Sequence, residues 1–318
     1  MRVGQNPAKF VKEVAKPARV TVAVLNYIPF LSGFYAEMLD VLKACLTGII
    51  ENTDQPFDLL VFDNASCGEV RQYLLDEHEA GHIQYLFLSE KNLGKGGAWN
   101  AILAGAPGEI IAYMDNDCLV YKNWLSRSLQ LLETYPNVGM VTARPFRTNP
   151  DFYTNTVAWA KQTPGVQLEE GQIIPYQVFQ EFDLSLGQTE EEIRQHYDSS
   201  QDVRLTYQGV PAIVGASHWQ FTARKETLAQ FLPFAMDRPM GQVKQLDQRI
   251  NATGLLRLMP VEPLAMNMSN TLRNLPGQTS STAARSQKGK TNPLLDLPPV
   301  RKVLLSMYDA IFRWYYDR

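Results

Sequence analysis

"NLGKGGAWNAILAGAPGEIIAYMDND", residues 92–117, decides the fold. A Gly-rich loop leads into a short helix that stops at Pro107. An apolar strand, "EIIAYMD", then climbs to Asp115 and Asp117 with Asn116 between them. A glycine-rich entry to a helix, followed by a buried strand, is one repeat of an open parallel sheet covered by helices.

The same alternation continues on both sides. Upstream, "RVTVAVLNY" (residues 19–27) reads as a buried parallel strand. Phe34, Met38, Leu42, Cys45 and Ile49 recur at helical spacing over residues 33–52. "FDLLVFDNAS" (57–66) is a second strand, and Ser66 with Glu69 has capping-box spacing, which predicts a helix over 69–78 closed by Gly81. "HIQYLFLS" (82–89) is a third strand. Downstream of the quoted stretch, Asn123 can cap a helix that ends at Tyr135, before Pro136 and Gly139. "VGMVTARP" (138–145) is a fifth strand.

Residues 146–205 turn polar and read as loops and a flap. Residues 210–231 return to strand then helix, and "QVKQLDQRINATGLLRLMP" reads as a helix ended by Gly254 and a short strand. The expected class is therefore α/β: an open, mostly parallel sheet flanked by helices. A basic N-terminal arm (1–18) precedes it. A Ser-, Thr- and Gly-rich linker (269–295) and an amphipathic C-terminal helix (296–318) follow.

Composition is that of an ordinary globular chain. A net charge of −3 gives no global pull toward nucleic acid, so none is expected as a partner. Cys45, Cys67 and Cys118 lie far apart, with no pair at metal-ligand spacing, and read as free thiols in a reducing compartment. "MRVGQNPAKF" lacks the apolar core of a secretory leader. No apolar run reaches the ~18 residues of a membrane span, so a cytoplasmic protein is expected.

Ligands of open α/β sheets bind beyond the carboxyl ends of the strands. Asn26–Tyr27, Asp63–Asn64, Asn92 to Gly97 and Asp115 to Asp117 all fall at those ends. Residues two apart on an extended segment point the same way, so Asp115 and Asp117 can face one ligand. A divalent cation relieves their repulsion, and all-oxygen ligation suits Mn²⁺ or Mg²⁺ with substrate phosphates completing the shell. A calcium EF-hand is excluded, because Val120 and Ser126 stand where its Gly and Glu are required.

With those residues in view, the chain resembles glycosyltransferase family 2 and its GT-A fold. "VTVAVLNY" resembles that family's first strand, "LLVFDNAS" its "VVDDGS" or "VVDNAS" strand end, and the stretch from Asn92 to Asp117 its "N-x-G…N…GEYIxxLDND" run. The likeness covers residues 19–145 well and 210–262 loosely. It implies a transferase that moves a sugar from a nucleoside diphosphate donor, UDP- or dTDP-linked, to a glycan, lipid-linked or other hydroxyl acceptor. It divides the domain into a donor half (19–145) and an acceptor-binding, catalytic half (146–268).

By the same resemblance Asn26, Tyr27, Asp63 and Asn64 contact base and ribose, and Asn92, Gly94 and Lys95 lie near the diphosphate. Asp117 holds the metal directly, while Asp115, beside Asn116, binds ribose or metal-bound water. His218 is a further candidate beside the metal or acceptor, and Trp219 a sugar platform or a core residue. Inversion needs a base, which the family supplies as an acidic pair early in the helix before the last core strand. Aligning Arg249 with the family arginine puts Gln242 and Val243 there instead. Asp247, one turn later, is the candidate base, with Asp237 the alternative.

Two rival classes share this sheet. A sugar nucleotidyltransferase resembles a chain with "GxGTRxxP" after the first strand, where this chain reads "LNYIPFLSGF". A catalytically inactive donor-binding protein would keep the first site and lack the base. The terminal helix, with Val303, Leu304, Met307, Ile311 and Phe312 on one face and Arg and Lys beside them, suits a membrane surface, its own domain or a second subunit.

Overall fold

The computed structural model describes residues 4–237, 241–272 and 306. The expected C-terminal helix (296–318), apart from 306, and all of the expected linker beyond 272 lie outside the described residues. The basic arm contributes a short 3-10 turn, Pro7–Phe10, with no buried residue.

The first half alternates strand and helix as its apolar spacing requires. In chain order it runs β1 (Val20–Asn26), α1 (Met38–Asn52), β2 (Phe57–Asn64), α2 (Gly68–Glu79), β3 (Tyr85–Ser89), α3 (Gly94–Gly105) and β4 (Ile110–Asp115). Then come β5 (Cys118–Val120), α4 (Trp124–Thr134) and β6 (Val138–Val141). The second half adds α5 (Thr154–Gln162), β7 (Gln167–Gly171), α6 (Tyr176–Ser185), α7 (Glu190–Ser199), β8 (Asp202–Tyr207) and β9 (Val210–Val214). It continues through β10 (Gln220–Arg224), α8 (Lys225–Ala229), α9 (Gln242–Ala252), β11 (Leu256–Met259) and β12 (Ala265–Asn267).

Ten of these strands form one sheet, ordered β3-β2-β1-β4-β10-β6-β11-β9-β8-β7. The strands β3, β2, β1 and β4 pair in parallel. Strand β10 then runs against both β4 and β6, and the far edge β9-β8-β7 is an antiparallel meander. Residues on either side of 145 thus share a single sheet. Strand β1 is buried along its whole length, and its alternate residues feed opposite cores. Val20, Val22 and Val24 pack with α1, α2 and α4 on one face, while Ala23 and Leu25 pack with Trp99, Ile102 and Phe221 on the other. Full burial of each such aliphatic side chain stabilises by roughly 1.5–3 kcal/mol. Among the described residues no helix is long and apolar enough to cross a membrane.

Four local expectations need correction. Ser66 does not cap α2, whose N-cap is Cys67 with no side-chain bond; its hydroxyl is taken by Asn26 and by the Ile28 amide. The "GKGG" run is not loop but the first turn of α3, because the Asn92 side chain accepts from the Gly94 amide and starts the helix there. Residues 146–205 are not a flap: they fold as α5, α6, α7 and the β7–β8 ladder, held by the ion pair of Arg147 with Asp202 (2.8 Å), both nearly fully buried. Strand β5 was not anticipated; three residues give no periodicity to read, and it exists through its pairing with β12.

Candidate functional site

Register brings the polar strand ends together. Asn26 pairs with Asp63 across β1 and β2, and Leu25, just before Asn26, pairs with Asp115 across β1 and β4. Asn26 and Asp63 are fully buried. The Asn26 amide donates to Asp63 Oδ1 at 2.9 Å and to Ser66 Oγ at 3.0 Å, and its carbonyl oxygen accepts from Asn116 at 2.8 Å. Asp63 also accepts from the Ser66 amide (3.2 Å) and from Arg71 Nε (3.3 Å). Three strand ends are therefore laced by side chains whose polar atoms have partners, as burial demands. Tyr27 follows at the lip, half-buried, edge-on to Tyr35 at 6.3 Å between ring centroids.

The entry to α3 is tied to the same edge. Asn64 accepts from the Leu93 amide (2.8 Å) and donates to Asn92 Oδ1 (3.0 Å). An aspartate at 64 could accept the first bond but not make the second. Gly94 sits at φ +66, a left-handed conformation that glycine adopts without strain. Next to it, Lys95 Nζ reaches Asp115 Oδ2 at 2.7 Å and lies over the rings of Trp99 and Tyr113. Lys95 is thus an ordered ion-pair partner rather than a solvated loop residue.

The two aspartates differ in what holds them. Both Asp115 oxygens are engaged, Oδ2 by Lys95 and Oδ1 by the Tyr113 hydroxyl at 2.5 Å. Asp117 Oδ1 is buried with no hydrogen-bond partner. Burial, reinforced by the neighbouring Asp115 charge, pushes the Asp117 carboxyl up to about 7, against the opposing pull of Lys95 and Asn267. A bound cation would stabilise the carboxylate form and displace that proton.

A second cluster adjoins this edge. The loop from β9 to β10 carries His218 and Trp219, and the Trp219 carbonyl accepts from the Asp115 amide at 2.8 Å. Gly215 opens the loop at φ +132, where a Cβ would lie 2.8 Å from Met259 Cε and from Thr148 Oγ1. His218 Nδ1 is 2.9 Å from Asp247 Oδ2 on α9. Asp247 Oδ1 accepts from Arg257 Nη2 on β11 at 2.5 Å, and both of those side chains are almost wholly buried. Asp247 therefore does not present a free carboxylate. Trp219 is 8% exposed and packs against Phe146 and Phe182, so it belongs mainly to the core. Asp237 is exposed, immediately before the undescribed residues 238–240.

The structure thus gathers Asn26, Asp63, Asn64, Asn92, Gly94, Lys95, Asp115 and Asn116 through direct hydrogen bonds or chain adjacency, with Asp117 next in the chain. His218 and Asp247 join as a pair. Sequence reading missed Ser66, Tyr113 and Arg257. For Arg257 a signal existed, an arginine inside the apolar "LLRLMP" strand; for the other two there was none, since a strand tyrosine and a turn serine are ordinary.

Comparison with known proteins finds similarity to glycosyltransferases. Residues 33–181 match the family Glycosyl transferase family 2. An uncharacterized glycosyltransferase of Nostoc sp. is 28% identical over 125 residues, 39% of this chain and 35% of that protein. Glycosyltransferase AglE of Haloferax volcanii is 23% identical over 137 residues, 38% of this chain and 45% of that one. The matched stretch spans less than half the length of either relative. Among solved structures, the mannosyltransferase PcManGT from Pyrobaculum calidifontis in complex with GDP-Man and Mn²⁺ is 19% identical, with TM-score 0.46, covering 77% of this chain and 55% of that one. GalNAc-T7 with UDP, GalNAc and Mn²⁺ is 13% identical, with TM-score 0.48, covering 79% and 44%. The family match lies across the strand edge that holds Asn64, Lys95, Asp115 and Asp117, so residues 33–181 of this chain are similar to glycosyltransferase family 2.

Proposed function

We propose that the edge formed by β1, β2, α3 and β4 binds a nucleoside diphosphate sugar, UDP- or dTDP-linked, and that the sugar passes with inversion to a hydroxyl of a glycan, lipid-linked or other acceptor. The observation that carries this reading is the buried, unpartnered Oδ1 of Asp117, two residues from Asp115 at a strand end. Such an oxygen is costly to leave uncompensated.

The donor set fits a hard divalent cation, Mn²⁺ or Mg²⁺. Two carboxylates supply oxygen, and among the described residues no group of three or more His, Cys, Asp and Glu could hold a metal. Phosphate oxygens and water would then complete the shell. Asp117 would be the direct ligand, because its Oδ1 has no hydrogen-bond partner, whereas both Asp115 oxygens are already bonded to Lys95 and Tyr113. A bound cation supplies charge stabilisation for the departing nucleoside diphosphate.

The chain's own residues do the rest. Tyr27 offers an aromatic face at the lip of β1 for the base. Asn64 and Asn92 fix the turn into α3. Lys95 holds a positive charge at the first turn of α3, where it can exchange Asp115 for a diphosphate oxygen. Asn116, pinned by Asn26, orients the segment between the two aspartates.

A thermal-shift screen of UDP-glucose, UDP-N-acetylglucosamine, dTDP-glucose and GDP-mannose, with and without Mn²⁺, tests class and base together. Stabilisation by at least one donor is expected only when Mn²⁺ is present. Asp117→Ala is expected to abolish that stabilisation while leaving the basal melting cooperative. Unchanged donor affinity in the presence of Mn²⁺ would remove the site from Asp117.

A further inference from the structure

The start of α9, with Gln242 and Val243, offers no acidic pair, and the carboxylate of Asp247 is taken on both oxygens. A group other than Asp247 is then sought to accept the proton of the attacking hydroxyl. We propose that His218 is the general base of the transfer and that Asp247, itself fixed by Arg257, is the residue that positions it. The inference rests on the donor site proposed above.

The bonding pattern sets the tautomer. Asp247, paired with the guanidinium of Arg257, can only accept, so the His218 nitrogen facing it, Nδ1, must carry a proton and donate. The neutral ring then has its lone pair on Nε2. That atom makes no hydrogen bond among the described residues, and the His218 side chain is 29% exposed. One residue further on, the Trp219 carbonyl accepts from the Asp115 amide, which ties the backbone next to His218 to the proposed donor edge. Arg257 also donates to the Ala216 carbonyl, so the same guanidinium that orients Asp247 anchors the loop that carries His218. Carboxylate, imidazole and loop are thereby held from one buried cation.

In the step this arrangement serves, the acceptor oxygen bonds to the anomeric carbon while its proton passes to His218 Nε2. The bond from the anomeric carbon to the diphosphate oxygen breaks, and its electron pair leaves with the nucleoside diphosphate. The imidazolium faces the Asp247 carboxylate until it returns the proton to water. No other reactant is required.

The test uses the full chain, the donors of the screen above, Mn²⁺, and water as the acceptor, reading release of nucleoside diphosphate. His218→Ala is expected to bind donor as wild type does by calorimetry and to release product about 100-fold more slowly, the usual share of a general base. Added imidazole is expected to restore part of the rate to His218→Ala and none to wild type. Asp247→Asn is expected to lower the rate with donor affinity retained. In parallel, nuclear magnetic resonance of wild type should show a downfield, slowly exchanging Nδ1 proton on His218 that moves upfield in Asp247→Asn. A His218→Ala rate within about threefold of wild type, with donor bound, overturns the assignment. Loss of donor or Mn²⁺ binding in that variant overturns it too, and makes His218 part of the donor site. If wild type binds none of the nucleotide sugars, the donor-site reading itself falls.

Discussion

Asp115 and Asp117 are two residues apart and chemically unlike. Asp115 is saturated by Lys95 and Tyr113; Asp117 keeps a buried oxygen open and a carboxyl pushed up to about 7. The sign of the resulting pH dependence follows. The unfolded carboxyl loses its proton near pH 4, while the folded one holds it to about 7, so the folded state binds more protons across that window. Without metal, stability should therefore fall as pH rises from about 4 to about 7 and level off above. Mn²⁺ replaces the proton, so the rise in melting temperature that it causes should grow with pH through the same window. Melting curves with and without Mn²⁺ across that range check this, and a metal effect independent of pH would count against Asp117 as ligand. The D-N-D spacing was readable in sequence because alternation on a strand is rigid geometry. The difference between the two carboxylates was not, since it depends on a tyrosine one strand turn earlier and on a lysine reaching across from another element.

Elements position the groups proposed for catalysis through a few backbone constraints. The β9–β10 loop can carry His218 to Asp247 because Gly215 takes φ +132 in a space without room for a Cβ. Gly215→Ala should destabilise the fold by roughly 1–3 kcal/mol, combining strain and overpacking. Urea denaturation measures it, and a change below about 0.5 kcal/mol would show that the loop has slack. At this scale the parallel half was legible: β1 to β4 with their helices follow from apolar runs and helical spacing. The stretch from 146 to 205 was not, because its helices have mixed polarity and its order comes from tertiary contacts such as the Arg147–Asp202 pair. Ser66 shows the same limit in miniature. Its spacing to Glu69 favoured a cap locally, and the buried amide of Asn26 won the hydroxyl instead.

Across the whole molecule the strand ends that carry Asp63 and Asp115 and the His218–Asp247 pair sit on either side of the place where strand direction reverses. Strand β10 lies between β4 and β6 and runs against both, although it is far later in the chain than either. The family match ends at residue 181, before β10 begins at Gln220. A chain stopped at 181 leaves β4 and β6 without the strand that joins them. It should show no cooperative unfolding transition by calorimetry or circular dichroism, whereas a sharp transition would mean that the first half is self-sufficient. An order of this kind could not be read from the sequence, which announces strands but not their neighbours. It also bears on synthesis. As the polypeptide leaves the ribosome, the stretch from β1 to β6 emerges with a gap in its middle, exposed to chaperones until about eighty further residues beyond β6 have been translated to supply the missing stave.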